Sequence, residues 1–195
     1  MSSAAPTCPA LNFTTHPSAS PFAVNYESYL STHASESSKY QYIANGAIVF
    51  DGSTPERILL LQRAAGDSMG SLWETPGGAS DKEDPSILYG AARELWEEAG
   101  LIAASVGPPV GEGYLFTTQT GKRIGKFSFV VDVEEGPDGR LDVKLNPREH
   151  QSYVWASEEE VKARKVGDSE LRFTKSEQEA VVLEAFKVRR ETPKL

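Results

Sequence analysis

The 195-residue chain has a single cysteine, Cys8. No intramolecular disulfide can form, and a zinc site built on cysteine pairs is excluded with it. Histidine is nearly as scarce, with three in all, and His16 and His33 lie in polar stretches that give them no role. Positive charge is also short. Twenty Lys and Arg against 28 Asp and Glu leave a formal net charge of −8, the wrong sign for gripping a DNA or RNA backbone. No segment approaches the ~20 consecutive apolar residues that span a bilayer. The first ten residues, Met1 to Ala10, carry neither the basic start nor the apolar run of a secretory signal. The expectation is a cytoplasmic protein with neither a nucleic-acid polymer nor a membrane as partner. An acidic protein can still bind a phosphate-rich small molecule where metal ions bridge the two.

At 39% hydrophobic residues the chain can bury a sizeable core. Residues 1–40 are polar and rich in Ser, Thr, Ala and Pro, a composition that does not offset its ordering entropy, so a partly disordered arm is expected there. Within it, Phe22, Val24, Tyr26, Tyr29 and Leu30 could form a short strand or helical turn packed on the domain of residues 41–195. From Tyr42 to Phe50 a nearly continuous apolar run predicts a strand buried on both faces. Asp51 to Pro55 is turn chemistry, and Arg57 to Arg63 reads as the partner strand, the two flanking a glycine loop. Residues 103–113 begin irregularly, with Pro108 and Pro109, before an extended Tyr114 to Thr118 and a hairpin loop at Gln119 to Lys122. Phe127, Phe129, Val131 and Val133 alternate with polar positions, and Leu141, Val143 and Leu145 alternate again. A helical turn is expected near Ser157 to Ala163. A last helix follows, with capping-box spacing at Thr174 and Glu177 and apolar positions from Val181 to Val188, packed opposite the helix described next. The sheet is mixed, with too few helices for a doubly wound fold.

The stretch whose chemistry is specific is Gly77 to Leu101. Asp84 and Pro85 suit an N-cap and first helical residue, and Gly100 suits a left-handed stop. At roughly 100° per residue, Leu88, Ala91, Ala92, Leu95 and Ala99 gather on one side, and Glu94, Glu97 and Glu98 about a quarter turn away. Like charges three and four apart cost roughly 0.2–0.5 kcal/mol per pair, and they crowd the end where the helix dipole disfavours them. Arg93 is their one local partner. A divalent cation would remove the repulsion, and hard cations such as Mg²⁺ take carboxylate oxygens together with water and substrate phosphates.

Arg93-Glu94-Leu95-Trp96-Glu97-Glu98-Ala99-Gly100-Leu101 resembles the second half of the Nudix box, and Trp73-Glu74-Thr75-Pro76-Gly77-Gly78 resembles the Trp-x-x-Pro-Gly-Gly that precedes it in the Nudix hydrolase family. The segment between them is one residue longer than the family's spacing, so the box's first acidic position falls on Glu83 or Asp84. The resemblance implies an α/β/α sandwich with a mixed β-sheet between helices, and metal-dependent hydrolysis of a phosphoanhydride bond in a nucleoside diphosphate linked to another group. It implies one to three Mg²⁺ or Mn²⁺ ions held by Glu94, Glu97, Glu98 and the Gly77 carbonyl. Arg93 would hold Glu94 or Glu97 in place, and the first acidic residue would support the arginine. Glu149, in a loop before the strand carrying Trp155, would bring a further carboxylate towards the metals, and His150 could orient a phosphate or a water. Arg63, Tyr114, Phe116 and Tyr153 are candidates for substrate contact, with Trp155 a further stacking surface and Lys122, Arg123 and Lys126 further cations that could meet phosphates. The alternative is a catalytically silent Nudix-fold module that binds a nucleotide or a protein; retention of all three helix carboxylates speaks against it. Neither the substrate nor the oligomeric state follows from the sequence.

Overall fold

A computed structural model describes residues 8–33 and 39–192. The first sheet is mixed: β1 (Thr14–Thr15), β5 (Ala103–Pro109), β7 (Arg123–Val133) and β2 (Tyr42–Ile48) lie side by side in that order, and β6 (Tyr114–Thr117) also pairs with β7. The second sheet is antiparallel, with β3 (Arg57–Arg63) between β4 (Trp73–Glu74) and β8 (His150–Ser157). A small ribbon of β9 (Lys165–Val166) and β10 (Ser169–Glu170) completes the strands. The helices are α1 (Tyr26–Thr32), α2 (Ile87–Ala99), α3 (Glu158–Ala163) and α4 (Ser176–Glu191). This is the expected α/β arrangement of helices and mixed sheet, with the strands divided between two sheets.

Two apolar clusters lie on opposite sides of the sheets. In one, Leu88, Ala91, Ala92 and Leu95 of α2 meet Ile43, Ala47, Phe127, Phe129, Leu59 and Leu61. In the other, Val182, Ala185 and Phe186 of α4 meet Ile48, Phe50, Val130, Ile58 and Leu60. Because side chains alternate across a strand, each of β2, β3 and β7 feeds both clusters, and their nearly unbroken burial follows.

The pairing of the first two strands differs from expectation. β2 and β3 are joined by backbone bonds at their turn, Leu59 N–H to Val49 O and Asp51 N–H to Arg57 O, and then separate into different sheets. One edge of β2 pairs in parallel with β7. The other edge is taken by the glycine loop itself: Asn45 N–H bonds Gly78 O, Ala47 N–H bonds Pro76 O, and Ser80 N–H bonds Ile43 O. An edge that is already satisfied leaves β3 no ladder to join.

Other local expectations also shift. Residues 103–113 are not irregular at the start; β5 runs from Ala103 with two breaks in register against β7. Leu141, Val143 and Leu145 form no strand, and pack as coil against the first cluster. Helix α4 starts at Ser176 with no side-chain cap, and the capping box belongs to α3, between Ser157 and Glu160. Residues 8–33 are not loose. β1 pairs in parallel with β5, and Phe22, at the end of a 3-10 turn (Pro17–Phe22), lies with its ring 4.9–5.3 Å from those of Tyr29, Phe127 and Phe129. A few large aromatics thus outweigh a polar average. The rest of the expected arm, residues 1–7 and 34–38, lies outside the described residues.

Candidate active site

Helix α2 begins later than Asp84 and Pro85 suggest. Its N-cap is Ser86, whose Oγ accepts from Tyr89 N–H at 3.0 Å, and Gly100 ends it at φ 69°. Asp84 is thereby freed for another task. It is 3% exposed, accepts Asp81 N–H at 2.8 Å, and receives Arg93 through Nε and Nη2 at 2.9 and 3.0 Å. Glu83 is exposed, so the acidic group beside the arginine is Asp84, and the extra residue of the box is absorbed in the loop before the helix.

Arg93 joins the carboxylates. Its Nη1 donates to Glu94 and Glu97, both at 2.9 Å, and Nη2 also reaches Ala79 O at 3.1 Å. These bonds and the surrounding negative charge hold its pKa above the ordinary value despite burial. Glu98 points the other way, into the domain. It is 5% exposed and its Oε2 accepts Gly77 N–H at 2.8 Å. Gly77 sits at φ 148° against β2, where a Cβ would fall 2.3 Å from Asn45 O, so only glycine fits. A Cβ at Gly78 would fall 2.6 Å from the Glu94 carboxyl. The glycine loop is therefore wedged between β2 and the carboxylates of α2.

Burial raises the pKa of Glu98 well above the usual carboxylate range, with Glu74 and Glu94 adding to the effect against the Gly77 bond. Burial also pushes Glu94 up to about 7, against the pull of Arg93. A carboxylate whose folded pKa is raised contributes stability that is complete below its unfolded value of 4.5 and is lost as pH rises through the folded one. The protein stripped of metal is therefore expected to lose stability between pH 4.5 and 7, by up to about 3 kcal/mol from Glu94. Added Mn²⁺ should restore it. Melting temperatures across that range, in chelator and in Mn²⁺, check this; a stability that rises to pH 7 in chelator contradicts it.

Glu149 is delivered by the coil that closes α2. Lys144 N–H bonds Ala99 O and Asn146 N–H bonds Glu98 O, so residues 141–149 satisfy carbonyls that the helix end leaves open. Asn146 Nδ2 then donates to Glu149 Oε1 at 2.8 Å, and the Glu149 charge reaches Glu94. The same coil thus caps the helix and brings its end towards the carboxylates.

The candidates for substrate contact are less uniform. Both terminal nitrogens of Arg63 are engaged, with Glu74 and with Asp67, and Asp67 is held at about 2 chiefly by its bond from Arg63. Tyr114 donates to Gln178 Oε1 at 3.0 Å, and Gln178 in turn donates to Thr75 Oγ1. Phe116 has Lys175 Nζ 5.0 Å above its ring. Tyr153 is exposed on β8. Trp155 packs on the first cluster.

Sequence reasoning missed Glu74. It lies buried on β4, bonded to Arg63 and, at 3.3 Å, to His150 Nε2. Burial would raise its pKa, but His150, Lys126 and Arg63 together lower it. Its position beside Trp73 and the glycine loop was a signal. Its partners, from three other strands, were not.

The donors present are oxygens, which suits a hard divalent ion. Among the described residues no three His, Cys, Asp or Glu side chains form a ready-made cage. An ion that draws much of its shell from water and phosphate does not require one, and Glu98, buried and among the described residues bonded to no cation, is the acceptor such an ion would satisfy.

A model of the NUDIX domain matches residues 41–176. The chain belongs to the Nudix family. Its activity class is that of a Nudix-type pyrophosphohydrolase, and hydrolases of this family generally use divalent cations. No curated protein matches the chain. Among solved structures, the MutT protein from Methanosarcina mazei Go1 is 25% identical, covering 77% of this chain and 96% of its own with a TM-score of 0.57. The E. coli ORF135 protein is 27% identical, with coverage of 78% and 93% and a TM-score of 0.53. The NUDIX domain of Shewanella oneidensis NrtR, complexed with ADP ribose, is 18% identical, with coverage of 85% and 98% and a TM-score of 0.56; at that identity the likeness is one of fold. No helix of the described residues is long and apolar enough to cross a membrane.

Proposed function

We propose that this Nudix protein hydrolyses a phosphoanhydride bond in a nucleoside diphosphate linked to another group, with Mg²⁺ or Mn²⁺ as its ion. The observation that carries the proposal is the joining of Glu94 and Glu97 by Arg93 beside a buried Glu98 bonded to the glycine loop. Glu94, Glu97, Glu98 and the Gly77 carbonyl would hold the ions. Bound there, divalent ions polarise phosphoryl oxygens and lower the pKa of a bound water.

The residues supply the rest. Arg93 keeps two carboxylates of like charge adjacent and fixes their rotamers, so little reorganisation is needed when substrate arrives. Glu149 or a helix carboxylate takes the proton of the attacking water. Phe116 and Tyr153 offer faces for a base, and Tyr114, tied to Gln178, keeps β6 close to the glycine loop. The complex of the NrtR domain with ADP ribose supports a substrate of the nucleoside-diphosphate class.

The test is a panel of ADP-ribose, dinucleoside polyphosphates, NADH, coenzyme A and nucleoside triphosphates, incubated with the protein and Mg²⁺ or Mn²⁺. Release of a nucleoside monophosphate and a phosphorylated second product from one of the linked compounds is expected. No turnover across the panel with either ion would overturn the proposal.

A further inference from the structure

We propose that Lys126 is a substrate-binding residue, its ammonium donating to a non-bridging phosphoryl oxygen of the diphosphate; this rests on the hydrolase function proposed above. Lys126 lies on β7, where Phe127, Phe129 and Val131 turn to the cluster under α2. Alternation sends Lys126 and Ser128 to the other face. There, a Cβ on Gly46 would fall 3.3 Å from Lys126 Cε, and Gly46 in turn packs beneath Gly77, whose own Cβ would fall 2.7 Å from the Gly46 Cα. The aliphatic stem therefore runs over the floor on which the glycine loop sits, and the ammonium end lies in the field of Glu74, Glu98 and Glu94.

Lys126 is 8% exposed, and among the described residues its ammonium makes no hydrogen bond and no ion pair. This separates it from the two arginines bonded to the site's carboxylates. Arg93 is bound to Asp84, Glu94 and Glu97, and Arg63 to Glu74 and Asp67. A largely buried ammonium whose donors meet no protein acceptor is costly. The carboxylates around it offset part of that cost through their charge without accepting its protons. What such a group lacks is an anionic oxygen acceptor, and a phosphoryl oxygen makes a charge-assisted bond of that kind. The neighbouring Ser128 Oγ is buried without a partner, so the same floor holds a second polar group that the protein leaves unmet.

The experiment compares wild type, Lys126→Met and Lys126→Arg with the substrate turned over by the wild type. An anchor used equally in ground and transition states raises KM and leaves kcat in place. Lys126→Met should raise KM about tenfold or more, the scale of one lost charge-assisted bond, with Mn²⁺ affinity by electron paramagnetic resonance within about threefold. Lys126→Arg should recover part of the loss. Lys126→Arg, which keeps the positive charge beside Glu74, Glu98 and Glu94, controls for any fall in melting temperature. A KM within twofold of wild type, or a loss of Mn²⁺ affinity as large as the change in KM, overturns the assignment. Absence of wild-type turnover would be a failure of the hydrolase proposal. Lys126 would then be judged by calorimetric binding of inorganic pyrophosphate in Mn²⁺: weakening of about tenfold in Lys126→Met supports the anchor, and equal or absent binding in both proteins overturns it.

Discussion

Glu98→Gln is expected to lower kcat about a thousandfold while raising the melting temperature of the metal-free protein at pH 8. The two effects have one cause. Glu98 is buried beside Glu74 and Glu94, and its pKa lies well above the usual range because burial penalises its charge. At pH 8 the unfolded chain carries the carboxylate freely in water, whereas the folded chain must either retain a proton or bury the charge. Glutamine avoids that penalty and keeps an oxygen for the Gly77 N–H. Its neutral amide cannot replace an anionic ligand, and a thousandfold loss corresponds to about 4 kcal/mol of transition-state stabilisation. Steady-state kinetics in Mn²⁺ and thermal melts in chelator read the two effects separately. Unchanged kcat would remove Glu98 from the ligand set. A lower melting temperature would show that its carboxylate serves the fold.

Arg93→Met should cost about 3–5 kcal/mol of stability, the range for breaking a buried charge pair from one side. The loss arises chiefly at Asp84, which is 3% exposed and would be left without its bidentate partner. Glu94 and Glu97 would also be released to repel one another, so activity should fall with stability. Lysine cannot restore the arrangement, because one ammonium cannot span Asp84, Glu94, Glu97 and the Ala79 carbonyl as a planar guanidinium does. Adding Asp84→Asn to Arg93→Met should return a large part of the lost stability, since the orphaned charge is then gone. Urea unfolding of the two single variants and the double variant measures the coupling. A cost below about 1 kcal/mol for Arg93→Met would show that the arginine does not hold this part of the protein together.

The dependence of Asp84 on Arg93 shows where sequence reasoning was sound and where it stopped. Both residues could be named, and a supporting role for an acidic group beside the arginine was implied. The spacing alone leaves that group open between Glu83 and Asp84, because the segment is one residue longer than the family's spacing and a helix cap competes for Asp84. Ser86 resolved the competition by capping the helix itself. Lys126 is a harder case. The sequence names it only alongside Arg63, Lys122 and Arg123 as a cation that could meet phosphates, and its burial over Gly46, beneath the glycine loop, is what singles it out.

The sequence by itself determined what depends on near neighbours along the chain: the period of α2, its glycine stop, the adjacency of Glu94, Glu97 and Glu98, and the family to which they point. Those follow from helical geometry and from the backbone freedom of glycine, both local. Tertiary structure alone decided that the Pro76 to Ser80 segment takes the free edge of β2, that β3 leaves for a second sheet, and that Glu74, Lys126 and His150 converge near α2. Strand pairing joins residues far apart in sequence, and which edges remain to be satisfied is known only once every backbone donor has found its acceptor.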